Sequence, residues 1–312
     1  MRRLSDGILA IVQIRTIRWL AALVIMPAIA AFPLTIEARD KDKPARERRG
    51  KARESEASPV AAAKEPVAAK EDESTRQAAS DPARPALAPA IEAARASRDD
   101  VRKLPGYSCT FSKNEQLKKG SPLKQVMVLK FRREPFSVYL KFVEPHAGRE
   151  VIYIDGQNKG KMQVHEASGL ASMIGTVSIS PTGSDAMKES RYPITMIGME
   201  KMLETIVADW EASQKHSTVK VDRYPKAKIG ETECVMFEVL FSQAHESIKF
   251  HKTRLYFDKK SNLPRRVEQY AFPAKAGEQP PLVEEYSYSD VKTDAPLADR
   301  DFDVKNESYG FK

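Results

Sequence analysis

The chain has 312 residues, 30% charged and 41% hydrophobic, with a formal net charge of +8 at neutral pH, a length that admits one or two domains. Its charges are interleaved (Lys113 near Glu115, Arg132 and Arg133 before Glu134, Glu284 and Glu285 near Lys292), which describes a solvated surface rather than the basic stripe of a nucleic-acid binder. The two cysteines, Cys109 and Cys234, lie too far apart for a C-x-x-C redox or zinc arrangement.

Residues 1–38 read as an export signal. Arg2, Arg3, Arg15 and Arg18 form a positive region, Trp19 to Phe32 is an uncharged apolar run, and Ala28-Ile29-Ala30 and Ile36-Glu37-Ala38 offer small residues at a cleavage point. The run falls short of the ~20 residues of a membrane-spanning helix, and Pro27 interrupts it. Cleavage is therefore expected over retention as an anchor. The mature chain is then exported, periplasmic or in the cell envelope, with at most peripheral contact with a membrane and no nucleic-acid partner. In such an oxidising compartment Cys109 and Cys234 can pair or stay as buried thiols; each sits in an alternating β run, and both readings stay open.

Residues 39–88 are expected to be a disordered tether. The segment is built almost entirely of Arg, Lys, Glu, Asp, Ala, Ser and Pro, and Val60 and Val67 are its sizeable aliphatics up to Ala86. It cannot bury enough apolar surface to offset the entropy of ordering.

The folded domain is expected over 89–312. A first helix starts near Pro89, carries Ile91, Ala94, Val101 and Leu104 at helical spacing, and stops at Pro105-Gly106. Strand periodicity follows: Tyr107, Cys109 and Phe111 alternate with polar residues, Gln125 to Phe131 is richly apolar, and Val138, Leu140 and Phe142 alternate with Ser137, Tyr139 and Lys141. Val151 to Ile154, then Asp155-Gly156 and Met162 to His165, predict a hairpin. Leu170 to Ser190, with its glycines and Pro181, reads as short strands in loops.

Gly198 to Lys215 stands apart. Met199, Met202, Leu203, Ile206, Val207 and Trp210 recur at helical spacing and predict an amphipathic helix. Strands resume over Thr218–Tyr224, Glu233–Ser242, Ile248–Asp258, Pro264–Phe272 and Val283–Val291. Many short strands with only two helices predict a mostly β (α+β) domain: one strongly curved antiparallel sheet, or an incomplete barrel.

Catalytic chemistry finds no foothold. His165-Glu166 lacks the second histidine of a zinc-protease helix, and His245 and His251 have no evident third ligand; His146 and His216 stand alone. There is no G-x-S-x-G elbow and no phosphate-cradling glycine loop. The expectation is a non-enzyme with no metal and no cofactor.

The runs Leu255-Tyr256-Phe257-Asp258, Leu263-Pro264-Arg265-Arg266, Glu285-Tyr286-Ser287-Tyr288-Ser289-Asp290-Val291 and Asp301-Phe302-Asp303 resemble the C-terminal part of LolA-like outer-membrane lipoprotein-sorting proteins. Phe131 to Phe142, Gly148-Arg149-Glu150-Val151 and Tyr192-Pro193-Ile194-Thr195 resemble the exported family called domain of unknown function 1571, over about residues 90–312. The resemblance implies a LolA-like half-barrel with helices capping its open side, whose concave apolar face holds acyl chains in the lipoprotein carriers.

Two functions follow as expectations. The first is non-catalytic carriage of a lipid or lipoprotein acyl chain by a monomeric half-barrel, in a trough formed by Phe111, Leu129, Phe131, Val138, Leu140, Phe142, Ile152, Ile154, Phe237 and Val239, under a lid formed by Met199, Met202, Leu203, Ile206 and Trp210. The second is an envelope protein-interaction or sensor module whose half-barrel is solid and which meets a protein partner.

Overall fold

The computed structural model describes residues 77–78 and 85–312, apart from residues 118, 119, 214, 216, 217, 295 and 312. The expected signal segment and most of the expected tether lie outside the described residues. Within the tether stretch, Gln77–Ala78 form a two-residue strand, β1, and Leu87 is already fully buried.

Helix α1 spans Ala88–Arg102, with Pro89 in its first turn and Ala90, Ile91, Ala94, Ser97 and Val101 on its buried face. The strands that follow are β2 (Gly106–Glu115), β3 (Leu123–Arg132), β4 (Ser137–Glu144), β5 (Glu150–Ile154), β6 (Met162–His165) and β7 (Val177–Ile179). A four-residue helix α2 (Ser184–Met187) and helix α3 (Met199–Ser213) lead to β8 (Val219–Ile229), β9 (Thr232–Phe241), β10 (Lys252–Asp258), β11 (Pro264–Tyr270) and β12 (Leu282–Lys292).

All these strands belong to one antiparallel sheet in the order β1-β8-β9-β10-β11-β12-β2-β3-β4-β5-β6-β7. It consists of two meanders, β2 to β7 and β8 to β12, joined where β12 pairs with β2 through Tyr288 opposite Phe111 and Ser287 opposite Ser112. The end strands β1 and β7 do not pair, so the sheet is open. This is the mostly β, curved antiparallel class that the sequence predicts.

The inner face is set by alternation. Tyr107, Cys109 and Phe111 on β2, Leu129 and Phe131 on β3, and Val138 and Leu140 on β4 share one buried cluster with α1 and with Met199, Leu203, Ile206 and Trp210 of α3. Gly198 lets α3 start tight against this cluster: its φ is +115°, and a Cβ there would lie 2.9 Å from the Phe131 ring. The Met199 N–H then donates to the Tyr107 hydroxyl at 3.0 Å.

Several expected boundaries move. β8 runs past Tyr224 to Ile229, because a bulge between Tyr224 and Ala227 carries it across Pro225 while β9 supplies partners. β10 begins at Lys252 rather than Ile248, and Ile248 and Phe250 instead tuck into the interior from the preceding loop. The 170–190 stretch holds one strand, β7, and two short helices.

Candidate functional site: a half-hollow inner face

The inner face of the sheet is filled on one side and hollow on the other. Under β11, β12 and β2 through β7 lies a cavity of about 460 Å³, roofed by α3 and by residues 174–198. No described residue of β8, β9 or β10 borders it. Residues from so many consecutive strands can border one cavity only because the sheet curls around it. The volume falls in the ~300–1,000 Å³ range of small-ligand pockets.

Its wall is mostly apolar. Phe111, Met127, Leu140, Phe142, Val151, Met162 and Val164 come from the sheet, Val177 and Ile179 from β7, and Met202 and Ile206 from α3. Of the residues expected to form the trough and lid, Phe111, Leu140, Phe142, Met202 and Ile206 therefore border the cavity. Leu129, Phe131, Val138, Phe237, Val239, Met199, Leu203 and Trp210 are buried in the solid core beside it.

Ile152 and Ile154 are corrected outright. β5 is buried on both faces, and its alternation turns Val151 and Tyr153 inward. Ile152 packs outside with Tyr139 and Phe302, and Ile154 joins them along with Leu297, Val304, Tyr309 and Phe311 of the C-terminal tail. The short unbroken run Val-Ile-Tyr-Ile carries no signal for which face is which.

The cysteines also part company. Both are free, buried thiols. Cys109 lies in the inner core, whereas Cys234 joins Tyr224, Met236 and Tyr256 in a separate cluster. Cys234 and Met236 alternate with the inward Phe237 and Val239, so the sheet itself stands between the two thiols. Burial pushes the Cys234 thiol up to about 11 and the Cys109 thiol higher still, so both stay protonated and unreactive at neutral pH.

One end of the cavity is polar, a feature that apolar patterning does not predict. The inner face of β2 continues past Phe111 into Lys113 and Glu115, both buried. Lys113 Nζ donates to Glu115 at 3.2 Å, to the Glu189 carbonyl at 2.9 Å and to the Ser190 hydroxyl at 2.9 Å. Glu115 also accepts from the Arg191 N–H at 3.0 Å and from the Tyr286 hydroxyl at 2.6 Å. Arg191 Nε donates to Glu284 at 2.6 Å, and the Tyr192 hydroxyl donates to the same carboxylate at 3.2 Å. Arg149 bridges Glu166 at 2.7 Å and Glu189 at 2.8 Å.

Burial lowers the Lys113 amine, against the pull of Glu115, and raises the Glu284 carboxyl, against Arg191. Burial likewise raises the Tyr286 phenol, which therefore stays a donor. The charges are paired with one another, so the network ties residues 189–192 to β2 and β12 at the edge of the cavity. Among the described residues no cluster of histidine, cysteine, aspartate and glutamate could hold a metal ion.

The sheet is thus an open antiparallel half-barrel whose inner face borders a mostly apolar cavity. The chain belongs to a family of proteins of unknown function, DUF1571, whose model matches residues 104–311. No curated protein matches it. Solved structures similar to it include a LolA superfamily protein from Nitrosomonas europaea, 12% identical, covering 67% of this chain and 97% of that one with a TM-score of 0.28. The Mycobacterium tuberculosis lipoprotein LppX is 10% identical, covering 67% of this chain and 98% of that one with a TM-score of 0.39. The Pseudomonas aeruginosa MucA/MucB complex is 13% identical, covering 69% of this chain and 60% of that one with a TM-score of 0.40.

Proposed function

We propose that this is an exported, non-catalytic envelope protein that buries the acyl chain of a lipid or lipoprotein in the cavity under α3. Residues 1–38 act as its signal and the stretch from residue 39 up to β1 as its tether, shorter than expected because Gln77–Ala78 pair with β8 and Leu87 is buried. The observation that carries the reading is the cavity: apolar over most of its wall, bordered by a helix and a long loop, with buried charges paired at one end. An apolar chain buried there leaves water for a wall whose area is mostly apolar, with the polar groups gathered towards one end. Methionines 127, 162 and 202 give the wall soft side chains that repack around chains of different length.

The lid in this reading is smaller than the whole of α3. Met199, Leu203 and Trp210 fix the helix to the solid core, so opening belongs to residues 174–198 and to the Met202–Ile206 face. A fluorescent fatty acyl probe tests the reading. The chain is expected to take it up with saturation, and Met202→Arg, which places a charge against the apolar wall, is expected to weaken uptake by at least about tenfold. Uptake that is absent, or equal in the folded variant, would defeat the proposal.

A further inference from the structure

The loop between β6 and β7 exposes the side chains that globular proteins usually hide. Leu170 is 85% exposed, Met173 83% and Ile174 72%, all within one short turn bracketed by Gly169 and Gly175. The turn is held in shape, since Ser172 closes it by donating from its hydroxyl to the Gly169 carbonyl at 2.7 Å and from its N–H at 3.2 Å. Scattered single exposures need no explanation, but large aliphatics gathered on one tip mark an interaction site.

The surrounding sequence sharpens this. In a chain that is 30% charged, no Asp, Glu, Lys, Arg or His occurs between Glu166 and Asp185. The segment consists of Ala, Ser, Gly, Thr, Pro, Met, Leu, Ile and Val. The tip is also continuous with the cavity: Ile174 and Gly175 border it, as does Met196, which is 39% exposed. The exposed tip therefore adjoins the cavity through Ile174 and Gly175.

We propose that the 169–175 tip inserts into the interfacial layer of a lipid bilayer and seats the cavity mouth on the membrane. The occupant follows from the chemistry. A wedge of Leu, Met and Ile with no charged residue from 167 to 184, continuous with an apolar cavity, suits the boundary between headgroups and acyl chains. An apolar protein surface is the alternative that the vesicle test separates. The insertion rests on burial of apolar area and is expected to depend little on salt or on anionic lipid. Its purpose, delivery to the cavity, rests on the acyl-chain reading, but the contact itself does not.

The test places a reporter in the tip, which separates its signal from that of the apolar N-terminal segment. In the full chain, Met173→Trp is expected to shift its emission to shorter wavelength when phosphatidylcholine vesicles are added, and to be quenched by bromine-bearing acyl chains. Leu170→Ser/Met173→Ser/Ile174→Ser, with unchanged melting temperature, is expected to weaken the tip-dependent share of vesicle binding by at least about tenfold. An unshifted Met173→Trp emission, or a triple variant that binds as the parent does, would overturn the proposal. A shift that grows with protein concentration without vesicles would overturn it too, in favour of a second copy of the chain. Vesicle docking by a chain that takes up no acyl probe would leave this inference standing and remove only the cavity reading.

Discussion

Asp258 ends β10 and holds several groups at once. One of its oxygens accepts the Lys260 and Ser261 N–H groups at 2.7 and 3.2 Å, and the other accepts Arg265 at 2.6 and 3.0 Å. Burial opposes its charge, but Arg265 and the two backbone donors win and hold the carboxyl below the ordinary aspartate value of 3.8. A lowered value in the fold contributes stability above the unfolded value, and that contribution is lost as pH falls through the lowered one. Asp258→Asn is therefore expected to cost about 1–3 kcal/mol at pH 7. Denaturant titrations at several pH values should find the gap between parent and variant shrinking below pH 3.8.

The run Leu255 to Asp258 and the pair Leu263-Pro264 stand out in the sequence as family motifs, and their role is this turn. Arg133 has a similar role, donating to the Val101 carbonyl in the last turn of α1 and to the Leu104 carbonyl just beyond it, and pairing with Glu200 of α3. The sequence displays such residues but not their partners, because Arg149 meets Glu189 and Arg133 meets Glu200 only once the sheet has folded.

At the scale of elements, α3 has two faces with different work. Trp210 and Leu203 are buried against the solid core, whereas Met202 is half-buried and borders the cavity. Trp210→Ala is expected to cost about 3–5 kcal/mol in a melting or denaturant experiment. Met202→Ala is expected to cost about 1 kcal/mol and to show itself in acyl-probe retention. Equal stability losses would place both residues in one core. The helix itself was legible, since its apolar positions recur at helical spacing; which of them border space was not, because that depends on the curl of strands far away in sequence.

Strands were legible where one face is polar, as in β2 and β4. At β5 the strand and its hairpin with β6 were legible but the face was not, because the C-terminal tail buries the outer side and both sides read as apolar. The face was misleading again at Lys113 and Glu115, whose charges suggest solvent yet point inward to the segment that leads into α3.

For the whole molecule, the open sheet follows from many short strands and few helices, and that class was readable from the chain. The cavity was not, because it is the difference between a sheet that curls and a core that fills only half of it. Among the described residues no helix is long and apolar enough to cross a membrane. In the proposed division of labour, membrane contact falls to the 169–175 tip and cargo to the space behind it. Native mass spectrometry of the protein purified gently from an envelope fraction tests the carriage of an acyl chain most directly. The expected result is a mass above that of the polypeptide, lost on organic extraction and matching a lipid. A bare polypeptide mass from protein that remains folded would contradict it.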